Sequence, residues 1–458
     1  MSARSQRLSQ LKELAGASAP AKDRLKKLFD DGVYTEIGAF AKSGEHLAGV
    51  VTACGYVDGN MVYAFSQDST INKAALSAAQ AAKIKKLYDS AAKTGLPVVG
   101  IYDSFGADLS DPVGALAAYG ELLACVSALS GVVPQIAVVA GTCAGAAAML
   151  AASADFVVMA KDAALFVTPN TAVAYLAAAA AKNGIAALVA ESDLSAVEAA
   201  RELLIKLPAN NLAALPMFEY EAPFFALGTT AAEQIKALAD LDSAVELYAA
   251  FGTAAYTALA TVNGTAVGFA ATNNADAPLS ADDCAKLARF VRTCDAFSVP
   301  VVTLVDTTGF DVSDADVTGA VKNMTKLAQA YAEATTVKLA VVTGKVYGPA
   351  YIALAGKGAA DLVFALPDAV ISPLNPLTAA EFLSHDKLAG TDDVTIAREA
   401  LADEFVAEHC SAAVLAERGS LDGICEAEDL RATLVTALDS LAGKRVSRLP
   451  KKHSNMPF

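Results

Sequence analysis

Residues 97–108 read PVVGIYDSFGAD, and residues 300–311 read PVVTLVDTTGFD, an offset of 203 residues. At the same offset, residues 137–147 (AVVAGTCAGAA) return as residues 340–350 (AVVTGKVYGPA). Each copy therefore has two apolar strands, and the second strand runs into a glycine-containing loop. Self-similarity at a fixed offset indicates a repeated structural unit. The sequence predicts that one fold occurs twice.

The chain has 458 residues, which is too long for one ordinary core and long enough for two domains. The repeat places the first domain at residues 1–211 and the second at residues 231–458. Between them, residues 212–230 contain Pro223, Gly228 and several aromatic residues, which favours a linker.

Each copy is predicted to open with a β-hairpin. The alternating stretches 49–65 and 258–270 are interrupted by Asp58-Gly59 and Asn263-Gly264, dipeptides typical of two-residue hairpin turns. A helix follows each hairpin and precedes the repeated strand, with predicted bounds of 76–93 and 280–297. The unit is β-β-α-β-α-β-loop-α, an α/β fold in which the strands after the hairpin are parallel.

Charge and cysteine content exclude several classes of protein. With 50 acidic and 35 basic residues the net charge is −15, which disfavours nucleic-acid binding. The seven cysteines show no Cys-x-x-Cys spacing, so neither a disulfide framework nor a structural zinc site is predicted, and no metal site is expected. The N-terminus lacks the apolar core of a signal peptide, so we expect a cytoplasmic protein.

The most membrane-like window, residues 132–152, is interrupted by Pro134, Gly141 and Gly145. A buried parallel strand followed by a buried helix explains this window better than a membrane-spanning helix does.

The two glycine loops are the best candidates for chemistry. Where a strand passes into a helix, the first backbone N–H groups of the helix lack partners and can bind an anion. We expect such donors at Gly145, Ala146 and Ala147 in the first copy, and at Gly348 and Ala350 in the second. The alternative is that small residues only allow the helix to approach the sheet closely.

Conventional catalytic groups are scarce. The four histidines lie outside the paired loops, and no serine-hydrolase, zinc-protease or Walker pattern occurs. Asp103 and Asp306 each end a repeated strand and could act as acids or bases, although the following Ser104 and Thr307 favour a cap or turn. Cys143 lies near a predicted helix N-terminus, which lowers a thiol pKa, but its counterpart is a valine, so it is not assigned as a nucleophile.

Lys83 and Lys86 lie three residues apart on the helix before the first repeated strand. They are predicted to share a helix face and could contact phosphate groups, with a solvated helix face as the alternative.

With these residues identified, the chain resembles the carboxyltransferase subunit of biotin-dependent acyl-CoA carboxylases and decarboxylases, the propionyl-CoA carboxylase β-subunit and methylmalonyl-CoA decarboxylase α-subunit type. The matching segments are residues 62–68, 119–121, 130–136, 289–292, 331–335, 416–419 and 452–458. The resemblance implies two tandem crotonase-like domains of the ββα-superhelix (ClpP/crotonase) type, with a CoA side on the first domain and a biotin side on the second.

The resemblance implies an enzyme that moves a carboxyl group between biotin on a carrier protein and a small acyl-CoA thioester. Backbone oxyanion holes for the enolates would fall on Gly145 and Ala146, and on Pro349 and Ala350 beside Gly348. The positions expected to bind the cofactor and the substrate are Gly141, Ala144, Lys83, Lys86, Gly344, Tyr347 and Ile352.

The resemblance also implies partners. The sequence contains neither a biotin-accepting Ala-Met-Lys-Met segment nor an ATP-grasp glycine loop. A biotin carboxyl carrier protein and either a biotin carboxylase or a membrane decarboxylase subunit would therefore act in trans. The family pattern is a homo-oligomer, a hexamer built as a trimer of dimers. Association with a membrane decarboxylase would place the protein at a membrane periphery.

The departures from the family pattern concentrate in the site loops. Pro349 has no N–H group, so the second oxyanion hole is one donor short. Residues 103–108 read DSFGAD in place of the family's DSGGAR, and Asn72-Lys73 replaces a Gly-Gly pair. Residues 372–376 read SPLNP in place of a Gly-Pro-Glu-Gly stretch. Two alternatives therefore stay open: a catalytically degenerate structural subunit, or a biotin-independent crotonase-type acyl-CoA enzyme that uses only the first site.

Overall fold

The chain forms two compact units, Met1–Pro216 and Met217–Phe458, in a computed structural model. The structure describes residues 3–169, 175–273, 276–313, 317–447 and 449–455. Of the C-terminal segment that carries the resemblance, residues 456–458 lie outside the described ranges.

The first unit contains ten strands and seven α-helices within its described residues. The strands are β1 (Tyr34–Ile37), β2 (Lys42–Ser43), β3 (His46–Leu47), β4 (Val50–Val57), β5 (Asn60–Gln67), β6 (Val98–Ser104), β7 (Gln135–Ala144), β8 (Phe156–Ala160), β9 (Ala164–Phe166) and β10 (Leu188–Ala190). The helices are α1 (Ala3–Gly16), α2 (Pro20–Leu28), α3 (Ala78–Thr94), α4 (Pro112–Leu129), α5 (Ala146–Ala152), α6 (Ala177–Lys182) and α7 (Asp193–Ile205).

The second unit contains eight strands and nine α-helices within its described residues. The strands are β11 (Val245–Leu247), β12 (Ala255–Val262), β13 (Thr265–Thr272), β14 (Val301–Thr307), β15 (Lys338–Tyr347), β16 (Leu362–Ala365), β17 (Val370–Ser372) and β18 (Gly423–Ile424). The helices are α8 (Ala231–Leu238), α9 (Ala281–Ala296), α10 (Val317–Glu333), α11 (Pro349–Leu354), α12 (Pro376–Leu383), α13 (His385–Leu388), α14 (Val394–Phe405), α15 (Ala412–Glu417) and α16 (Leu430–Leu441), with a π-helical turn at Val406–Cys410.

Each unit is built on one eight-stranded sheet. The order is β1-β4-β5-β6-β7-β8-β10 in the first unit and β11-β12-β13-β14-β15-β16-β18 in the second, with β9 pairing β7 and β17 pairing β15. The hairpin strands are antiparallel and the strands that follow them are parallel, which confirms the predicted unit. Every residue of β6 is buried, as expected for a parallel strand covered on both faces.

Local signals place the elements accurately. The helices predicted at 76–93 and 280–297 are α3 and α9, and their N-cap serines, Ser77 and Ser280, accept hydrogen bonds from the first helical turn. The window 132–152 forms β7 and α5, so the prediction of a strand followed by a helix is confirmed.

Among the described residues, α4 is the one helix long and apolar enough to cross a membrane by length and composition. Its Tyr119, Leu122 and Val126 are buried in the first unit, so packing accounts for part of this composition.

A carboxylate closes the hairpin turn of the first unit. Asp58 and Gly59 both have positive φ, 50° and 73°, which indicates a type I′ turn. Their N–H groups donate to the Asp30 carboxylate, each at 3.0 Å, and Arg201 on α7 pairs with the same carboxylate. Burial raises the pKa of Asp30, but hydrogen bonds from Gly59, Arg201 and Asp58 outweigh it, so the carboxyl pKa is lowered overall.

The second unit repeats this arrangement in a more buried form. Asn263 and Gly264 have φ of 53° and 75°, and their N–H groups donate to the Asp240 carboxylate at 2.9 and 2.8 Å. Arg431 on α16 completes the pair at 2.7 Å. The same turn, carboxylate and arginine recur although the sequence around them has diverged.

We predict that Asp240→Ala destabilises the second unit by about 2–4 kcal/mol, because two N–H groups and a guanidinium lose their acceptor in a buried site. Asp30→Ala is the matched control and should cost less, since the Asp30 side chain is 29% exposed and that of Asp240 is 2% exposed. Hydrogen exchange at the Gly264 amide in Asp240→Ala, and at the Gly59 amide in Asp30→Ala, measures the loss of stability in each variant. The prediction would be contradicted if the loss of stability were the same at Gly59 in Asp30→Ala as at Gly264 in Asp240→Ala.

Candidate functional site

In both units a central strand turns into a helix through a glycine with the same unusual backbone. Gly145 has φ 66° and ψ −139°, and Gly348 has φ 60° and ψ −140°. These values lie in a region that essentially only glycine adopts. Helices α5 and α11 begin at the next residue, so the glycine fixes the direction in which each helix leaves its sheet.

The N–H groups of these glycines are not free. Gly145 donates to the Phe166 carbonyl at 2.9 Å, and Gly348 donates to the Ser372 carbonyl at 2.8 Å. The prediction that Gly145 and Gly348 themselves supply anion-binding N–H groups is therefore wrong. Strands β9 and β17 pair with the ends of β7 and β15, and the glycine N–H groups continue this hydrogen bonding. Gly145 and Gly348 therefore contribute to the site through their backbone conformation.

The first helical residues supply the remaining donors. In the part of the chain that the structure describes, the N–H groups of Ala146 and Ala147 at the start of α5 have no acceptor, and the same holds for Ala350 on α11. Pro349 occupies the helix position equivalent to Ala146 and has no N–H to offer. Proline is favoured at the first helical position, so the exchange suits helix α11 while it removes a donor from the second site.

A second donor in the first unit was missed by the sequence reasoning. Leu76 donates to the Gly106 carbonyl at 2.8 Å and accepts from the Asp108 N–H at 3.1 Å. Ala107 lies between these two partners, so its own N–H points away from Leu76 and has no acceptor among the described residues. Gly106, with φ 106°, passes within 3.9 Å of the position that a Cβ on Gly145 would take. The Ala107 and Ala146 N–H groups thus belong to two segments that meet at glycines.

The second unit has the same arrangement at the same offset. Leu279 donates to the Gly309 carbonyl at 2.8 Å and accepts from the Asp311 N–H at 2.9 Å, which leaves the Phe310 N–H directed away from Leu279. Gly309 has φ 115°. The signal that could have identified Ala107 and Phe310 was the position that they share within the repeated stretch.

Asp103 is a structural carboxylate. It accepts hydrogen bonds from the Thr142 N–H at 3.3 Å, the Ser69 hydroxyl at 2.7 Å and the Arg24 guanidinium at 3.1 Å. Arg24 is also buried and pairs with Asp193 at 2.8 Å. The three donors belong to segments at least 34 residues away along the chain, so Asp103 ties distant segments together, and the prediction that it forms a helix cap or a local turn is wrong.

Asp306 behaves in the same way, accepting the Lys345 N–H at 2.9 Å. The carboxylates explain two of the predicted glycines. A Cβ on Gly141 would lie 2.3 Å from Asp103 Oδ1, and a Cβ on Gly344 would lie 2.4 Å from the Asp306 carboxyl carbon. Glycine is therefore required at both positions for the carboxylate to approach the neighbouring strand.

The turn at Asn72–Ala74 is hydrogen-bonded to the segment that leads into Ala107. Its three residues have φ of 46°, 52° and 48°, and each non-glycine residue in this region costs about 1–2 kcal/mol. The Phe105 N–H donates to the Lys73 carbonyl at 3.1 Å, and the Ser104 hydroxyl donates to the Ala74 carbonyl at 2.7 Å. These bonds tie the turn to the loop after β6 and hold the strained backbone in place.

The second site opens into a mostly apolar cleft of about 480 Å³. It brings together the predicted residues Tyr347, Gly348, Pro349 and Ile352, and places Phe310 beside them. Tyr347 is half-buried, and burial raises the pKa of its hydroxyl. The remaining wall consists of Thr308, Gly309, Val312, Val321, Met324, Thr325, Ala328, Ala353, Pro373, Leu374 and Asn375.

The predicted lysine pair does not form one surface. Lys86 is exposed, whereas Lys83 is buried, donates to the Val50 carbonyl at 2.6 Å and faces Glu36 at 3.7 Å. Burial lowers the pKa of Lys83, against the opposing effect of Glu36. The prediction of a shared helix face is therefore wrong, because α3 packs its Lys83 side against the hairpin.

Two other predicted positions lie inside the first unit. Ala144, at the end of β7, is buried. Cys143 is fully buried, and burial raises its thiol pKa, with the Asp103 charge acting in the same direction. The expected lowering of this pKa by the helix N-terminus is wrong, and an inert thiol agrees with leaving Cys143 out of the chemistry. Among the described residues, no group of three His, Cys, Asp or Glu side chains is placed to hold a metal ion.

We predict that Gly141→Ala lowers the melting temperature by several degrees, since the new methyl group must displace the Asp103 carboxylate from its three donors. Gly120→Ala on α4 is the matched control: nothing lies within 4 Å of its Cβ position, so alanine should stabilise the helix by about 0.5–1 kcal/mol. Thermal unfolding of both variants gives the comparison. Equal melting temperatures would show that the carboxylate can move without cost.

Comparison with known proteins agrees with the geometry. The carboxyl transferase domain profile matches residues 17–456. Methylmalonyl-CoA decarboxylase subunit alpha of Propionigenium modestum is 33% identical over an alignment of 490 positions, gaps included, which covers 98% of this chain and 95% of that protein. The propionyl-CoA carboxylase beta chain of Saccharopolyspora erythraea is 34% identical over an alignment of 501 positions, which covers 98% of this chain and 92% of that protein.

A crystal structure of transcarboxylase 12S, described as a hexamer with hydrolysed methylmalonyl-coenzyme A bound, superposes with a TM-score of 0.91 at 31% identity. The match covers 99% of this chain and 95% of that one. The fold of two tandem crotonase-like domains, which the resemblance implied, is thereby confirmed.

Proposed function

The chain belongs to the carboxyl transferase family, and on that premise we propose that it transfers a carboxyl group between biotin on a carrier protein and a small acyl-CoA. The observation that carries the proposal is the repeated strand-to-helix turn with unpaired N–H groups beside it, once in each unit. Transfer between two carbonyl-containing partners requires stabilisation of an oxyanion on each.

At the first site, the Ala107 and Ala146 N–H groups bind the thioester oxygen and stabilise it as negative charge develops. Backbone donors fixed by a strand end and a helix start need no reorganisation, and one such donor contributes on the order of 3–4 kcal/mol to transition-state stabilisation. We assign Asp103 and Asp306 to the framework, because Asp103 accepts hydrogen bonds from Thr142, Ser69 and Arg24 and Asp306 accepts one from the Lys345 N–H.

The second cleft fits a small bicyclic ligand with one carbonyl group. Its walls are mostly apolar, and Phe310, Tyr347 and Ile352 line it. The Phe310 and Ala350 N–H groups would hold the carbonyl oxygen. When bound there, biotin supplies the carrier on which the carboxyl group travels. Compared with the first site, the second lacks the donor that Pro349 removes.

We also propose a homo-oligomer, a hexamer assembled as a trimer of dimers, in the cytoplasm or at the surface of a membrane decarboxylase complex. Exposed apolar side chains occur on the segment between β6 and α4, on α4 and on α5, a feature typical of protein interfaces. These side chains are Phe105 (54% exposed), Leu109 (84%), Val113 (76%), Leu116 (64%) and Met149 (51%). The further partners are a biotin carboxyl carrier protein and a biotin carboxylase or membrane decarboxylase subunit.

A second candidate function is a structural subunit that has lost catalysis. Pro349 favours it, because one fewer N–H group in the second site weakens oxyanion stabilisation. A biotin-independent crotonase-type enzyme that uses only the first site would follow from the same observation.

Product formation from malonyl-, methylmalonyl- and glutaconyl-CoA, measured by mass spectrometry with and without a biotinylated carrier, separates these functions. We expect product from at least one thioester only when the carrier is present. Product without the carrier supports the biotin-independent enzyme. No product together with no CoA-thioester binding supports the structural subunit.

We predict that Pro349→Ala raises carrier-dependent turnover by about ten-fold or more, because alanine restores the missing N–H donor at an unchanged helix start. Pro367→Ala, in the exposed turn between β16 and β17, controls for the general effect of removing a proline. Steady-state rates with the carrier varied give the result. If Pro349→Ala folds normally and its turnover is unchanged or reduced, the absence of an N–H group at residue 349 does not limit catalysis at the second site.

A further inference from the structure

We propose that Lys73 binds the free carboxylate of a dicarboxylic acyl-CoA, a thioester of the malonyl type, at the first site. This inference rests on the proposed function and names a residue that determines the substrate specificity of the first site.

The Lys73 ammonium contacts the loop that supplies a donor of the first site. Its Nζ lies 5.2 Å from the centre of the Phe105 ring, a distance typical of a cation–π contact. Phe105 is more than half exposed and precedes Gly106 and Ala107, the segment that supplies an unpaired N–H. Two residues of extended chain span at most about 7 Å, so the side chain that Lys73 contacts belongs to the same short loop as the Ala107 donor.

Within the described residues, other cations near this loop are already paired. Arg24 is bound to Asp103 and Asp193, and Lys83 is bound to the Val50 carbonyl and faces Glu36. Lys73 has no ion-pair partner in the same part of the chain. It is therefore available to an anion at the first site.

The Asp108 carboxylate, four residues before α4, has hydrogen-bond partners other than the Lys73 ammonium. The Asp108 carboxylate accepts the Ser110 N–H at 3.0 Å and the Ser110 hydroxyl at 2.8 Å, which closes a local turn. In a protein with a net charge of −15, a lysine directed at an anionic substrate also offsets the general repulsion of that substrate.

The backbone at Lys73 is strained for any residue except glycine. Its φ of 52° lies between those of Asn72 and Ala74, which are also positive. Glycine at residue 73 would relieve the strain but would remove the ammonium. Strain of this kind is concentrated at functional sites, which favours a binding role over a packing role for an exposed side chain.

The acyl carboxylate is favoured over the CoA phosphates as the anion. The pantetheine arm separates the phosphates from the thioester, whereas the carboxylate of a malonyl group is two bonds from the thioester carbon. A cation held next to the Ala107 segment is thus nearer to the acyl end of the substrate.

Binding of malonyl-CoA and acetyl-CoA to the full-length protein, measured by calorimetry without a biotin carrier, tests the proposal. We expect Lys73→Met to weaken malonyl-CoA binding about ten-fold or more and acetyl-CoA binding by less than about two-fold. Lys73→Arg should restore malonyl-CoA binding. Lys12→Gln on α1, which removes an equal charge from an exposed helix, should leave both affinities unchanged.

Lys73→Gly provides an independent readout, because it should raise the melting temperature through relief of strain while it weakens malonyl-CoA binding as Lys73→Met does. Equal weakening of malonyl- and acetyl-CoA that disappears with their 3′-dephospho analogues would assign Lys73 to a phosphate and overturn the proposal. Unchanged malonyl-CoA binding in Lys73→Met would overturn it as well. If the unmodified protein bound neither thioester, the proposed function itself would fail.

Discussion

Both units depend on a glycine that turns a central parallel strand into a helix with φ near +60° and ψ near −140°. No side chain is compatible with this backbone at low cost, so glycine is required where the strand passes into the helix. The pairing of β9 and β17 fixes the glycine from one side, and the loop that follows β6 or β14 approaches it from the other. The direction of helix α5 or α11 and the free donors at its start follow from this turn.

The framework around the turn is held by buried and half-buried carboxylates. Asp103 and Asp306 approach strands that carry Gly141 and Gly344, and Asp30 and Asp240 close the two hairpins. Burying a carboxylate is costly unless donors surround it, and in both units backbone N–H groups provide some of these donors. The acids that a sequence would suggest for catalysis are thus occupied in stabilising the fold, which leaves the chemistry to backbone groups.

The two copies have kept this framework and diverged at their sites. The first unit has Ala146 at the helix start, and the second has Pro349, which suits a helix but provides no donor. The first unit has also acquired Lys73 and Phe105 beside its loop, at the cost of a strained turn. The second has acquired the apolar wall formed by residues such as Leu374. Each unit therefore combines an inherited geometry with its own recognition surface.

The sequence by itself determined the duplication, the hairpin turns, the main helices and the glycines at the strand ends. These features depend on local rules: turn dipeptides, caps, apolar runs and repeated spacing act over a few residues. The tertiary structure decided which N–H groups are free. Gly145 is paired because β9 reaches it, and Ala107 is unpaired because Leu76 binds its neighbours. It also decided that Lys83 is buried while Lys73 meets Phe105 across 32 residues of chain. Contacts between distant segments carry no local signal, so they become visible only when the chain is folded.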